Sequence, residues 1–155
     1  MTSIPVVRPS VGAIAGVLAL AACADLGPPG PLQVTLAVVG AQASPSDPVV
    51  MTVIATNNTT ARISWGAGSS SCALGAAVRV NGTWVPILGE RLCTTDTTEH
   101  ALDPGETRTE AFLWWGLVRR NGQTESLPPG TYPIRGQAGS MGASRTVTIT
   151  VSGAA

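Results

Sequence analysis

The sequence predicts an all-β antiparallel sandwich behind an N-terminal signal peptide, and three observations lead there. Short runs rich in Val, Ile, Thr and Trp alternate apolar with polar residues. Turn signals built on Gly, Pro and Asn separate these runs every ~8–12 residues. No window from 32 to 155 carries apolar residues at helical spacing.

Length and composition set the frame. The chain has 155 residues, 44% hydrophobic and 12% charged, with formal net charge +0. That suits one packed domain rather than a disordered tail. All nine cationic side chains are Arg, and processing after residue 22 would remove Arg8, leaving a charge of −1. Without a basic excess to neutralise phosphates, nucleic acid is not expected as a partner.

Taken in order, the first run is Leu32–Val39, with Leu32, Val34, Leu36 and Val38 on one face. Val49–Thr56 is apolar on both faces, as a central strand can be. After the Asn57-Asn58 turn, Ala61, Ile63 and Trp65 alternate with Arg62 and Ser64, and the Gly/Ser stretch 66–71 reads as a loop. Ala77–Val80, Asn81-Gly82 and Thr83–Leu88 form the clearest hairpin, because Asn-Gly supplies the positive φ angles that a two-residue turn requires.

The segment around His100 reads as a polar loop ending in the turn Leu102-Asp103-Pro104-Gly105. Arg108–Trp115 is a strand, and Asn121-Gly122 lies within a second polar loop. Leu127-Pro128-Pro129-Gly130 leads into Thr131–Ala138, and Ser144–Val151 closes the domain with Val147, Ile149 and Val151 against Thr146, Thr148 and Thr150. Six to nine strands in this length fit an immunoglobulin-like sandwich. Tyr132, just after a Pro-Gly turn, suits a tyrosine corner or an ordinary core position.

The N-terminus points to export. Arg8 precedes an unbroken small and apolar run, Val11–Ala22. At ~1.5 Å per residue it is too short for a hydrocarbon core ~30 Å thick. A cationic start, a short apolar stretch and a small-residue exit read as a secretory signal over residues 1–22. The junction Leu20-Ala21-Ala22-Cys23 resembles the lipobox of bacterial lipoproteins. That resemblance implies a diacylglycerol on the Cys23 thiol, cleavage before Cys23, and a covalent lipid as the only attached group, with no cofactor. Two or more acyl chains anchor firmly where one holds weakly. Residues 23–31 then form a Pro/Gly tether, and residues 32–155 the folded domain. The resemblance further implies a cell-membrane location. Ala24 rather than Asp after the cysteine favours the outer membrane of a diderm cell.

With Cys23 lipidated, Cys72 and Cys93 remain, an even pair in an oxidising compartment, which predicts one disulfide. Two cysteines and the single His100 do not make a tetrahedral metal site of familiar spacing.

A second resemblance rests on Asn58-Thr59, the hairpin Val78–Val85 (VRVNGTWV), Leu102–Glu106 (LDPGE) and Leu127–Tyr132 (LPPGTY). In their order and spacing, over roughly residues 49–140, these look similar to the intracellular proteinase inhibitor (BsuPI-like) family. The family implies an immunoglobulin-like sandwich and, as one functional reading, a proteinase inhibitor displayed at the envelope. The exported start and the Cys72/Cys93 pair depart from the family, so only the fold is carried over.

Chemistry is sparse. His100 reads as a solvated loop histidine beside Asp96, Glu99, Asp103 and Glu106, whose spacing lacks an EF-hand pattern. No nucleophile elbow or phosphate-loop Lys is present. The expectation is a non-enzyme with no metal site. The tryptophans carry the binding hypothesis. Phe112 and Trp114 share one face of a strand, and Leu113 and Trp115 the other. The family resemblance turns Trp114 inward. Trp115, Leu113 and Trp84 are thus the candidate binding face for an envelope protein or glycan, unless an adjacent loop covers Trp115.

Overall fold

The computed structural model describes residues 30–68, 72–90, 93 and 97–153, all in strands, turns and loops without a helix. The expected signal peptide over residues 1–22, Cys23 and most of the expected tether lie outside the described residues. Among the described residues no helix is long and apolar enough to cross a membrane.

The fold is an immunoglobulin-like antiparallel β-sandwich. One sheet has three strands: β1 (Gln33–Val39), β3 (Val49–Thr56) and β8 (Thr107–Trp114), with β3 in the centre. The other has five, in the order β2 (Gln42–Ala43), β12 (Val147–Val151), β11 (Gly130–Gln137), β5 (Gly75–Val80) and β6 (Thr83–Pro86). All pairings are antiparallel except the short β2–β12 contact. Inward residues of both sheets fuse into one core, in which Trp114, Met51, Leu74, Val78 and Ile134 are fully buried. The sheets approach closely at Gly136, where a Cβ would sit 3.2–3.3 Å from Val53 and Leu36.

The expected alternations hold. Val34 is buried with Leu36 and Val38 packed on the core, and Ile149 and Val151 are buried with Val147 beside them. Asn81 (φ 49) and Gly82 (φ 83) make the β5–β6 turn with the positive φ pair that Asn-Gly adopts most readily. Tyr132 is a tyrosine corner, its hydroxyl donating to the Pro128 carbonyl at 2.8 Å.

Two segments read as loops are strands. β7 (Thr98–Leu102) pairs with β4 (Ile63–Ala67), setting Trp65 opposite His100. His100 is therefore not a solvated loop residue. It is buried, its ring 5.8 Å from that of Trp65, and its Nε2–H donates to the Gly68 carbonyl at 2.9 Å. The acidic neighbours are spread out: Glu99 lies on β7, Asp103 pairs with Arg62 at 2.7 Å, and Glu106 accepts from the Asp103 amide. Asp96 is outside the described residues. β9 (Leu117–Arg120) and β10 (Gln123–Ser126) form a hairpin on Asn121 (φ 52) and Gly122. It is the same turn as at Asn81-Gly82, hidden because its strands are polar.

Two polar centres tie the loops down. Asn57 is fully buried at the β3–β4 corner. Its Nδ2 donates to the Ala61 and Leu102 carbonyls, and its Oδ1 accepts from the Thr59 amide and hydroxyl. Every polar atom of its side chain is thereby paired, as burial demands. The Glu110 carboxylate accepts from the Ala73 and Leu74 amides, at 3.1 Å each, and from Arg108 Nε at 2.8 Å. Trp65 Nε1–H donates to the Ala73 carbonyl in the same loop. Beside it the predicted disulfide forms between Cys72 and Cys93, with Cα atoms 5.7 Å apart.

Adjacent tryptophans should respond oppositely. Trp114 is fully buried with its Nε1–H on the Leu117 carbonyl, so Trp114→Ala should cost about 3–5 kcal/mol in urea unfolding, whereas half-buried Trp115→Ala should cost well under half of that. Reducing the disulfide, which closes a separation of 21 residues, should lower stability by about 3 kcal/mol. Unfolding curves that coincide with and without reductant would contradict this.

Candidate functional site at the outer face of the five-stranded sheet

Strand alternation decides which side chains reach this face. Ile134 and Val85 point into the core, so Arg135 on β11 and Trp84 on β6 point out. In the register Arg135 lies opposite Ala77 of β5, Ala77 opposite Pro86, and Arg79 opposite Trp84. The Arg135 guanidinium crosses the intervening strand and lies over the Trp84 indole, its carbon 4.3 Å from the ring centroid. Ala77, on the outer side of the sheet, is only 2% exposed because this pair roofs it.

The electrostatics are one-sided. The outward positions of β5, β6, β11 and β12 include Arg79 and Arg135 but no Asp or Glu. Thr131, Thr148, Thr150 and Gln137 supply hydroxyls and an amide. Arg79 Nε donates to the Gly82 carbonyl at 3.2 Å, which holds that side chain beside the hairpin turn. Arg135 differs: its Nε is buried without a hydrogen-bond partner, the one such side-chain atom among the described residues. No carboxylate pairs with it there. The stack on Trp84 is thus the one contact that holds the Arg135 guanidinium among the described residues.

An open cleft of ≈410 Å³ lies at the β11–β12 loop, with Arg135 but not Trp84 in its lining. Arg135 and Gln137 contribute to one side, the β11–β12 loop with Ser140 and Met141 to another, and Gly30 and Pro31 to a third. The loop is pressed tightly on β1: a Cβ on Gly142 would meet the Leu32 carbonyl oxygen at 2.4 Å, and the Leu32 amide donates to Met141. The cleft is therefore a shaped feature rather than the margin of a loose turn.

The three candidates read from the sequence do not share one surface. Trp84 lies on this face. Leu113 lies on the outer face of the other sheet, in a row with Val50 and Val39 across β8, β3 and β1. Val39 is 70% exposed and Val50 37%, with Leu113 half-buried. Trp115 is half-buried at the bend after β8, before Gly116 (φ +81). Arg135 was missed altogether. Alternation with Ile134 turns it outward, but the strand order that sets it opposite Trp84 is invisible in a linear sequence.

No family model matches the chain, and no curated protein matches it. Among solved structures it is similar to a β-glucosidase from Listeria innocua (TM-score 0.48, 11% identity, 80% of this chain and 16% of that one). It is also similar to a β-glucosidase from Erythrobacter marinus (TM-score 0.47, 15% identity, 78% and 15%). A β-glucosidase involved in saponin metabolism from intestinal bacteria aligns with TM-score 0.44 and 19% identity, over 79% of this chain and 16% of that one. The chain thus spans about a sixth of each enzyme's length. Since these structures are enzymes, the expectation of a non-enzyme is withdrawn. At these scores and identities the likeness assigns no substrate and no catalytic residue to this chain.

The Arg135–Trp84 contact can be measured. A double-mutant cycle with Arg135→Ala and Trp84→Ala should return a coupling of about 0.5–1 kcal/mol, in the range of a partly exposed cation–π pair. Strict additivity in chemical denaturation would show that the stack is not held in solution.

Proposed function

We propose that this chain is a cell-envelope lipoprotein, anchored through a lipid on Cys23, whose β-sandwich is an interaction module for an envelope protein or glycan. The observation carrying the module reading is the outer face of the five-stranded sheet, where Arg135 stacks on Trp84 without a carboxylate partner. Supporting the anchor reading are the Leu20–Cys23 junction after an apolar run and the Pro-rich stretch that follows. A tether of residues 23–31 at ~3 Å per residue would lift the domain clear of the headgroups while keeping it at the surface. In a diderm cell the outer membrane is its destination.

Cell fractionation with mass spectrometry tests the anchor. The wild-type chain should sediment with membranes and begin at a Cys23 bearing acyl chains. Cys23→Ser should move to the soluble exported fraction. An unprocessed N-terminus, or a serine variant that still sediments with membranes, would overturn the reading.

A further inference from the structure

We infer that β1 is the docking edge for a second copy of this chain, pairing antiparallel with its own counterpart about a two-fold axis at Leu36. This goes beyond the anchor and module reading and uses the sheet opposite Arg135. Three observations converge on it.

The first is an unguarded edge. β1 is the outer strand of the three-stranded sheet, seven residues paired with β3 in an unbroken register. Its sequence, QVTLAVV, holds no charge, Pro or Gly. The Leu32 amide donates to the Met141 carbonyl, but among the described residues no backbone hydrogen bond outside the β3 ladder reaches Gln33–Val39. Such an edge is a template for another strand, and monomeric proteins blunt it with Lys, Pro, a bulge or brevity. The other outer edges of the two main sheets are blunted. On β8 the Leu113 carbonyl accepts from the Glu90 amide, β2 has two residues, and β6 ends in Pro86 with Ile87 bridged to Val118.

The second is incomplete burial. Leu36 and Val38 point inward yet stay half-buried, whereas their register partners on β3, Val53 and Met51, are fully buried. The rim of the sandwich is open along β1, and a strand laid there would cover both side chains.

The third is self-complementarity. Opposed residues of an antiparallel pair face the same side, so a strand meets its own copy only where opposed numbers are both odd or both even. Pairing Gln33 with Val39, Val34 with Val38, Thr35 with Ala37 and Leu36 with itself meets that condition and uses all seven residues. No like charges are brought together, because no outward position of β1, β3 or β8 is charged. The chain just before β1 is a poor occupant of this edge, since Pro28, Pro29 and Pro31 lack amide donors. The two-fold stands perpendicular to the sheet, so the two residue-30 ends lie at one height and two anchored copies can pair in one bilayer.

The test is sedimentation equilibrium of the full chain in density-matched detergent over a range of protein concentrations, with cross-linking to read the register. The wild-type chain should show a monomer–dimer equilibrium. Thr35→Lys combined with Ala37→Lys sets like charges opposite each other twice and should raise the dissociation constant about tenfold or more. Thr35 is half-buried and Ala37 exposed, both on the outward side, and thermal melts check that each variant folds. An equimolar mixture of Ala37→Lys and Thr35→Glu chains should form mixed dimers in preference to either variant with itself. Thr35→Cys and Ala37→Cys chains, mixed and oxidised, should join to each other, since opposed Cα atoms lie ~4.5–5.5 Å apart. Either alone should join far less, since like positions lie more than ~7 Å apart. Peptide mass spectrometry identifies the bond. Should the double lysine variant not fold, the charge-swap mixture and the cross-link decide.

A wild-type chain that stays monomeric at every concentration would overturn the inference. So would a dimer indifferent to the lysine pair, the result expected of two chains sharing a micelle. Mixed dimers or mixed cross-links without preference over the unmixed ones would overturn it as well. None of these outcomes depends on whether Cys23 is processed, so failure here is distinguishable from failure of the anchor.

Discussion

The eight-residue ladder between β3 and β8 is the constraint on which the rest of this structure depends. Its register pairs Val49 with Trp114 and Met51 with Phe112, placing these four buried side chains in one layer against the second sheet. A slip of one residue would turn Trp114 out and Leu113 in, and the core would lose one of its two tryptophans. Farther along the inward side of β8, the apolar row gives way to Glu110 and Arg108. Glu110 grips the amides of Ala73 and Leu74, so one strand both builds the core and anchors the disulfide-bonded loop.

That division separates the two ends of the molecule in kind. At the disulfide end, Trp65, His100 and Glu110 each hold a backbone atom of the loop that joins β4 to β5. Their polar atoms are committed to structure, which explains why the sole histidine sits buried on a strand. On the outer side of the five-stranded sheet the reverse holds: Arg135 has a stacking partner and no ionic one. Polar groups satisfied within the fold contribute to stability, whereas a buried donor without an acceptor carries a desolvation cost that its neighbours must offset.

The sheet faces also differ in character. The row Val39, Val50 and Leu113 is apolar and belongs to the three-stranded sheet, while Arg79, Trp84 and Arg135 belong to the other. Outward aromatic and apolar residues in a sequence therefore do not add up to one binding surface. In a sandwich they are divided between two faces that look in opposite directions, and only the sheet to which a strand belongs decides which face a residue joins.

By itself the sequence determined the elements with strong local signals. Period-two alternation in Leu32–Val39, Thr131–Ala138 and Ser144–Val151 set their inward residues, because pleating ties every second side chain to one side, whereas Val49–Thr56, apolar on both faces, was legible only as a central strand. Asn81-Gly82 set a turn through backbone sterics alone, and the Cys72/Cys93 pair pointed to a disulfide. Only the tertiary structure decided the rest. β7 becomes a strand by pairing with the distant β4, a long-range contribution that leaves little trace in local pattern, and the polar β9–β10 hairpin is a local pairing without an apolar alternation to announce it. The same holds for the site. Arg135 and Trp84 are 51 positions apart, and they meet because β5 lies between their strands, an order set by packing rather than by any neighbouring residue.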